Sequence, residues 1–264
     1  MALSEKDKKG ALLIGLVVVA LVAVVTVKLA IGTPAKPDSD GCIGKVVANT
    51  VVVLDHSEKL AEQTIREISA RTLAHVVSKA QVNERVTVFN VSDHSRKALV
   101  PIFSRCKPAQ EGNRAIEDTR GIAKAYSQKF LEPLQAVLKT VPVDAKESPI
   151  AQALIDISLT QYLRGERNSL LVFSDMLENT PKFSMYDTMH DCADAKQSVA
   201  RFRESRKGAE ERPKFRHTGV WLHMIPRIQI SKPTLRCREA VWAWFFGDNE
   251  GAGASVDTDY LPGA

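Results

Sequence analysis

The chain has 264 residues, 44% of them hydrophobic and 25% charged, with four cysteines; these values exclude a collagen, a fully disordered chain and a disulfide-dense mini-protein. Its formal charge of +5 is concentrated at the start: residues 1–37 carry five lysines against two acids, leaving 31 basic against 29 acidic residues for the rest. A body so close to neutral lacks the basic footprint of a nucleic-acid binder, and no such partner is expected.

Residues 1–10 read as a short N-terminal tail. Ala11 to Val27 then runs ALLIGLVVVALVAVVTV, and Leu29, Ala30 and Ile31 extend it past Lys28. About 20 apolar residues match the ~30 Å of a bilayer core, so residues 11–31 are expected as a transmembrane helix. The run is longer than the apolar region of a cleaved signal peptide, and no clear cleavage site follows it. It also lacks the polar face of a surface helix. The expectation is therefore an uncleaved, single-pass membrane anchor. Lys6, Lys8 and Lys9 precede it and Lys28 and Lys36 follow. The positive-inside rule then places the N-terminus in the cytoplasm and the main domain outside, in the periplasm of a bacterium with the anchor in its inner membrane.

Residues 32–44, which include GTPAKPDSDG, read as a linker. A domain over 45–246 follows, in which strand and helix patterns alternate. Val46–Leu54 is an apolar, β-branched run ending at Asp55, the pattern of a strand buried on both faces. Glu58–Ala80 predicts an amphipathic helix and Arg85–Val91 a second strand. A short strand is expected over Lys97–Phe103, with Cys106 and Pro108 in the loop after it. Ile116–Thr140 predicts a long helix, because Ile122, Tyr126, Phe130, Leu134 and Leu138 recur at four-residue spacing. Ser148-Pro149 signals the start of a helix to Leu159. Ser169–Ser174 is another buried strand, followed by Asp175. Asp191–Arg206 predicts a helix, Thr218–Ile225 a strand and Thr234–Phe246 a helix. Residues 247–264 read as a flexible tail. This alternation predicts an α/β fold with a doubly wound, mostly parallel, Rossmann-like sheet. Cys42, Cys106, Cys192 and Cys237 allow three complete pairings, and four buried free thiols are the alternative.

Ligands of open α/β sheets bind outside the carboxyl ends of the strands. Two strands end there in an aspartate, Asp55 and Asp175. Ser57 and Ser148 fall in loops of the same edge. These hard oxygen donors suit magnesium (Mg2+), which keeps several waters and would accept one more carboxylate from a partner. Each residue also has a plain local role. Asp55 could cap the next helix with Glu58, Ser148 could cap another, and Asp175 could start a turn.

The arrangement resembles the von Willebrand factor A domain, shared with integrin inserted domains. That family carries a metal-ion-dependent adhesion site: Asp-x-Ser-x-Ser after the first strand, a Thr from a middle loop and an Asp after the fourth strand. VVVLDHSEK matches the first element at Asp55 and Ser57, Ser148 of SPIAQAL stands where the Thr would be, and Asp175 of LLVFSDMLENT matches the last. The resemblance spans Lys45 to Phe246. It implies a metal at Asp55, Ser57, Ser148 and Asp175 that holds a protein partner's carboxylate. The departure is Lys59 at the third motif position, whose ammonium cannot ligate a cation and could instead swing onto Asp55 and Asp175.

The functional expectation is a membrane-anchored protein-interaction or assembly module. Its alternatives are a metal-assisted hydrolase at the same edge, or a structural module whose site Lys59 closes. No Gly-x-Ser-x-Gly, Walker A or Gly-x-Gly-x-x-Gly motif is present, and the sequence identifies neither a catalytic residue nor a small-molecule substrate. Asp187, His190, Asp191 and Cys192 cluster without zinc spacing. His223 alternates with Trp221 and Ile225 as a packing residue, and Arg201–Lys207 reads as a solvated helix end.

Overall fold

Val51, Val52, Val53 and Leu54 are completely buried, so the strand they form must be covered on both faces. This strand, β1 (Asn49–Leu54), lies near the middle of a six-stranded sheet. The structure is a computed structural model and describes residues 5–31, 36–91, 99–114, 117–140, 145–188, 192, 194–207, 213–227, 230–247 and 255–262.

Two units divide the chain, Met1–Lys36 and Pro37–Ala264. The first contains α1 (Glu5–Ile31). From Leu12 to Val25 its large apolar side chains are 52–69% exposed. Among the described residues, no helix is long and apolar enough to cross a membrane.

The second unit holds the sheet. After β1 come α2 (Glu62–Ser78), β2 (Arg85–Asn90), β3 (Phe103–Cys106), α3 (Thr119–Tyr126), a π-helical segment (Ser127–Leu131) and α4 (Glu132–Leu138). Then follow α5 (Ile150–Leu159), β4 (Asn168–Ser174), a small hairpin of β5 (Asn179–Thr180) and β6 (Phe183–Ser184), and α6 (Met185–Thr188). The chain ends with α7 (Ala195–Ser205), β7 (Thr218–Met224), α8 (Lys232–Gly247) and β8 (Ser255–Tyr260). The sheet order is β3-β2-β1-β4-β7-β8. Only the β2–β3 pairing is antiparallel, as the mostly parallel α/β expectation requires.

Period-two alternation divides the core. Val51, Val53, Leu170 and Val172 point into one cluster with Ile150, Leu154, Phe202, Val241, Trp242 and Phe245. Val52, Leu54, Val86, Val88, Leu171 and Phe173 point into the other with Ile68, Val76, Phe130, Leu134 and Leu138. Helices thus cover both faces, which is why the strands read as continuous apolar runs.

Three expectations need correction. The tail expected over 247–264 contains β8, which pairs in parallel with β7 from Gly219–Ser255 to Met224–Tyr260. All six β8 residues are exposed. Cys106 ends β3 instead of lying in a loop; of the strand expected over Lys97–Phe103, residues 97 and 98 lie outside the described residues. The long helix changes to π geometry at Ser127–Leu131 before Pro133. A helical proline lacks an amide hydrogen and crowds the preceding turn, and one wide turn relieves both.

Both pairs of cysteines are joined, Cys42 to Cys106 and Cys192 to Cys237. Two charged groups organise the interior. The buried Lys107 ammonium donates to the carbonyls of Val76 (2.8 Å), Val77 (3.1 Å) and Ala80 (2.8 Å) at the C-terminal end of α2, where the helix dipole favours a cation. Glu178, fully buried, pairs with Arg206 and accepts from the Ala151 amide (2.8 Å) at the start of α5. Removing one partner of a buried pair strands the other charge, typically at about 3–5 kcal/mol. Arg206→Ala is therefore expected to lower the unfolding free energy of residues 37–264 by that amount, read by urea denaturation; a loss within about 0.5 kcal/mol would mean water reaches Glu178.

Candidate site at the carboxyl edge of the sheet

β1 and β4 run parallel with Leu54 beside Phe173, so Asp55 and Ser174 leave the sheet at neighbouring positions. The Asp55 amide donates to the Phe173 carbonyl at 2.9 Å. Asp55 is 5% exposed, Ser57 7%, Ser148 5% and Asp175 4%. All four residues singled out in the sequence therefore occupy one buried edge.

Asp55, Ser57 and Ser148 share direct contacts. The Ser148 hydroxyl donates to the Asp55 carboxylate, at 3.3 Å from Oδ1 and 3.2 Å from Oδ2. The Ser57 amide donates to Oδ1 at 3.1 Å. Ser174, the last residue of β4, donates its hydroxyl to Oδ2 at 2.7 Å and accepts from the Met176 amide at 2.7 Å. Met176 has φ +57°, and its carbonyl accepts from the Trp242 indole at 2.7 Å. A tight turn is thereby fixed to α8.

Asp175 joins this group through charge. Its Oδ1 accepts from the Leu177 amide at 2.9 Å and its Oδ2 from Arg227 Nε at 2.7 Å. Burial first, then the neighbouring Asp55 carboxylate, push its carboxyl up to about 6, and Arg227 works the other way. Burial opposes the Arg227 charge, but Asp175 and Glu58 outweigh it and leave its pKa raised. Arg227 Nη1 also meets Glu58 Oε2 at 2.6 Å, and Tyr186 donates to Glu58 Oε1 at 2.8 Å. Burial and the carboxylates of Asp175 and Glu58 raise the Tyr186 pKa and keep the phenol protonated. The Arg238 guanidinium donates to the Asp175 carbonyl at 2.9 Å.

The local roles fare unevenly. Asp55 and Asp175 each accept from the amide two residues on, closing a local turn. Asp55 does not cap α2, whose N-cap is Ala61 without a side-chain bond. Ser148 does not cap α5 either; Glu178 reaches that end from β4's loop. Lys59 is exposed, and the cation on Asp175 is Arg227. Asp191 and His190 lie outside the described residues, while Cys192 is in its disulfide. His223 stacks on Phe173 with ring centroids 4.6 Å apart.

Among the described residues, no group of three or more His, Cys, Asp or Glu could hold a metal, although a site built on two carboxylates and two hydroxyls falls outside that pattern. Both Asp175 oxygens and both Asp55 oxygens already accept from protein groups, and the Arg227 guanidinium lies against Asp175.

No protein-family model matches the chain, and no curated protein matches it. Among solved structures, the human COPII-coat protein Sec24c is 11% identical with a TM-score of 0.37; the match covers 88% of this chain and 30% of that one.

The raised carboxyl groups set a pH dependence. Burial lifts Glu178 to about 7 against the pull of Arg206. A carboxyl whose pKa is raised on folding favours the native state below its unfolded value, and that contribution is lost as pH rises through the folded value. Buried His75, lowered to about 4 by desolvation and then by Lys79 and His223, acts oppositely: its contribution disappears as pH falls. The difference between wild type and Glu178→Gln isolates the carboxyl. Unfolding free energies measured from about pH 4 to about pH 7.5 should decline less steeply in Glu178→Gln than in wild type; parallel curves would place Glu178 in water.

Proposed function

We propose that the chain is a membrane-tethered protein-interaction module whose adhesion-type edge is neutralised by its own arginine instead of by a metal. The observation that carries the reading is the pair of neighbouring buried carboxylates, Asp55 and Asp175, at the carboxyl edge of the sheet. Like charges buried together work against stability, and such arrangements concentrate at functional sites. Glu58 and Arg227 remain partly exposed above them, and Tyr186 is 43% exposed. That rim offers an acid, a cation and an aromatic ring to a protein surface. The likeness of the VVVLDHSEK and LLVFSDMLENT segments to the von Willebrand factor A pattern supports the same edge, with Arg227 in the role first assigned to Mg2+ or Lys59.

The tether is residues 11–31. Its support is a helix with apolar side chains exposed on every side from Leu12 to Val25, a surface that water disfavours and lipid accepts. Two disulfides suit an oxidising compartment. They agree with lysines on the cytoplasmic side of the anchor and the domain outside, in the periplasm of a bacterial cell.

Two measurements test these parts. Thermal unfolding of residues 37–264 in EDTA should not change when magnesium or manganese is added, whereas a native-state ligand at 100 times its Kd would add about 2.7 kcal/mol. A metal-dependent gain, lost in Asp55→Ala, would restore the four-residue metal site and overturn the arginine reading. Affinity purification of the full chain from membranes should lose its bound proteins when Glu58 and Tyr186 are both changed to Ala. An unchanged set would move the binding surface elsewhere.

A further inference from the structure

The opposite edge of the sheet has its own chemistry. The chain comes into the domain there: Cys42 is bonded to Cys106, and Cys106 pairs with Arg85 at the start of β2. Asn83 ties down the next residues, accepting from the Ile43 amide at 2.7 Å and donating to the Ile43 and Lys45 carbonyls at 2.8 and 2.9 Å. Beyond α1, ten large hydrophobic residues are exposed among the described residues, and five of them occupy this edge. Ile43 is 50% exposed, Val47 47% and Val82 55%; Val77 in the last turn of α2 and Leu159 at the end of α5 are 45% and 44%.

Basic side chains stand around them. Lys79 ends α2, Arg164 and Arg167 precede β4, and Lys214 and Arg216 precede β7; all are exposed. Among the described residues, the exposed acids at this edge are Asp38, Glu166, which meets Lys45 at 3.3 Å, and the partly exposed Asp40, which faces Arg85 at 4.0 Å. Among the described residues the edge is therefore net basic, although the unit as a whole is nearly neutral. An apolar centre with a basic surround is the composition of a surface that lies against anionic headgroups.

We infer that the amino edge of the sheet is a membrane-contact surface that rests on anionic lipid headgroups. The inference rests on the membrane-tether reading given above. Only residues 32–41 separate α1 from Cys42, a tether of at most about 36 Å. Anionic lipid at the anchor is thus always within reach of the edge where the chain comes in, and charge complementarity selects it. The carboxyl edge, with Asp55, Asp175 and Arg227, is the opposite edge of the same sheet and is left open to a protein.

The test uses residues 37–264, which contain both apolar clusters and both disulfides, beside the full chain. The fragment should sediment with phosphatidylcholine vesicles containing phosphatidylglycerol and not with phosphatidylcholine alone, and the binding should weaken with salt. Each basic residue near an anionic surface contributes about fivefold. R167E/K214E/R216E should therefore cut binding at least tenfold. R120E/K124E/K129E, the same charge change on the exposed face of α3 and the π segment, should leave it intact. In vesicles carrying the full chain, phosphatidylglycerol should slow tryptic cleavage at Arg167 and Arg216. A folded fragment that binds neither vesicle, or equal losses in the two triple variants, would overturn the inference. Alkaline carbonate extraction of the full chain reads the tether separately. A chain that resists extraction while its fragment ignores lipid sinks the surface alone; an extracted chain whose fragment still binds lipid sinks the tether alone.

Discussion

Two carboxylates buried beside one another need hydrogen-bond donors in place of water, and the loops at the carboxyl edge are arranged to provide them. Asp55 receives two hydroxyls and an amide, from Ser148, Ser174 and Ser57. Asp175 receives an amide and a guanidinium. These donors come from the loops after β1, β4 and β7 and from the start of α5, so solvating the pair also fixes four connections. The same loops carry the links that lock them to the helices: Trp242 to Met176, Arg238 to the Asp175 carbonyl, and Glu178 to Ala151. Burial of the charges and order of the edge are thus one constraint.

The apolar part of this organisation was legible in the sequence. VVVL and LLVF have the β-branched and apolar run of strands covered on both faces, and the two aspartates after them fall on one edge once the strands are parallel. Asp55, Ser57, Ser148 and Asp175 were found by that rule. Arg227 was missed although it follows the same rule, three residues beyond Met224 at the end of β7. An arginine cannot ligate a cation, so the oxygen-donor pattern of a metal site does not include it. Ser174 was read only as strand, since a small hydroxyl at a strand end gives no periodic signal. β8 gives only a weak signal: Val256, Thr258 and Tyr260 alternate with a serine and two aspartates, all six side chains are exposed, and pairing to β7 with the contacts of Asp259 and Tyr260 holds it. The register that brings Asp259 to His223, where Nδ1 lies 2.5 Å from the carboxylate, is equally silent in sequence.

The two ends of the sheet divide the chemistry of the domain. At the carboxyl edge the acids lie deep and the cations that answer them are protein groups. At the amino edge charges are exposed, Lys107 is spent on the end of α2, and valines and isoleucine face solvent. A parallel sheet creates this polarity by itself: each strand begins at one edge and ends at the other, so loops of one kind collect together. The disulfide between Cys42 and Cys106 adds the remaining asymmetry by fixing the incoming chain to one edge only.

A guanidinium differs from a divalent ion in ways that matter for such an edge. It cannot leave, it donates along fixed directions, and its position is tied to the backbone of a loop. The charge at Asp175 is therefore linked to the loop after β7, and through Nη1 to Glu58 and Tyr186 at the rim. A partner that displaced Glu58 from Arg227 would disturb Asp175 directly beneath it. Burial and Asp55 already hold the Asp175 carboxyl up at about 6, so weakening its contact with Arg227 raises it further and favours taking up a proton. An ion exchanging with solvent would hold the same charges without tying rim and floor together. In this domain a surface event at Glu58 and a protonation event at Asp175 share one side chain.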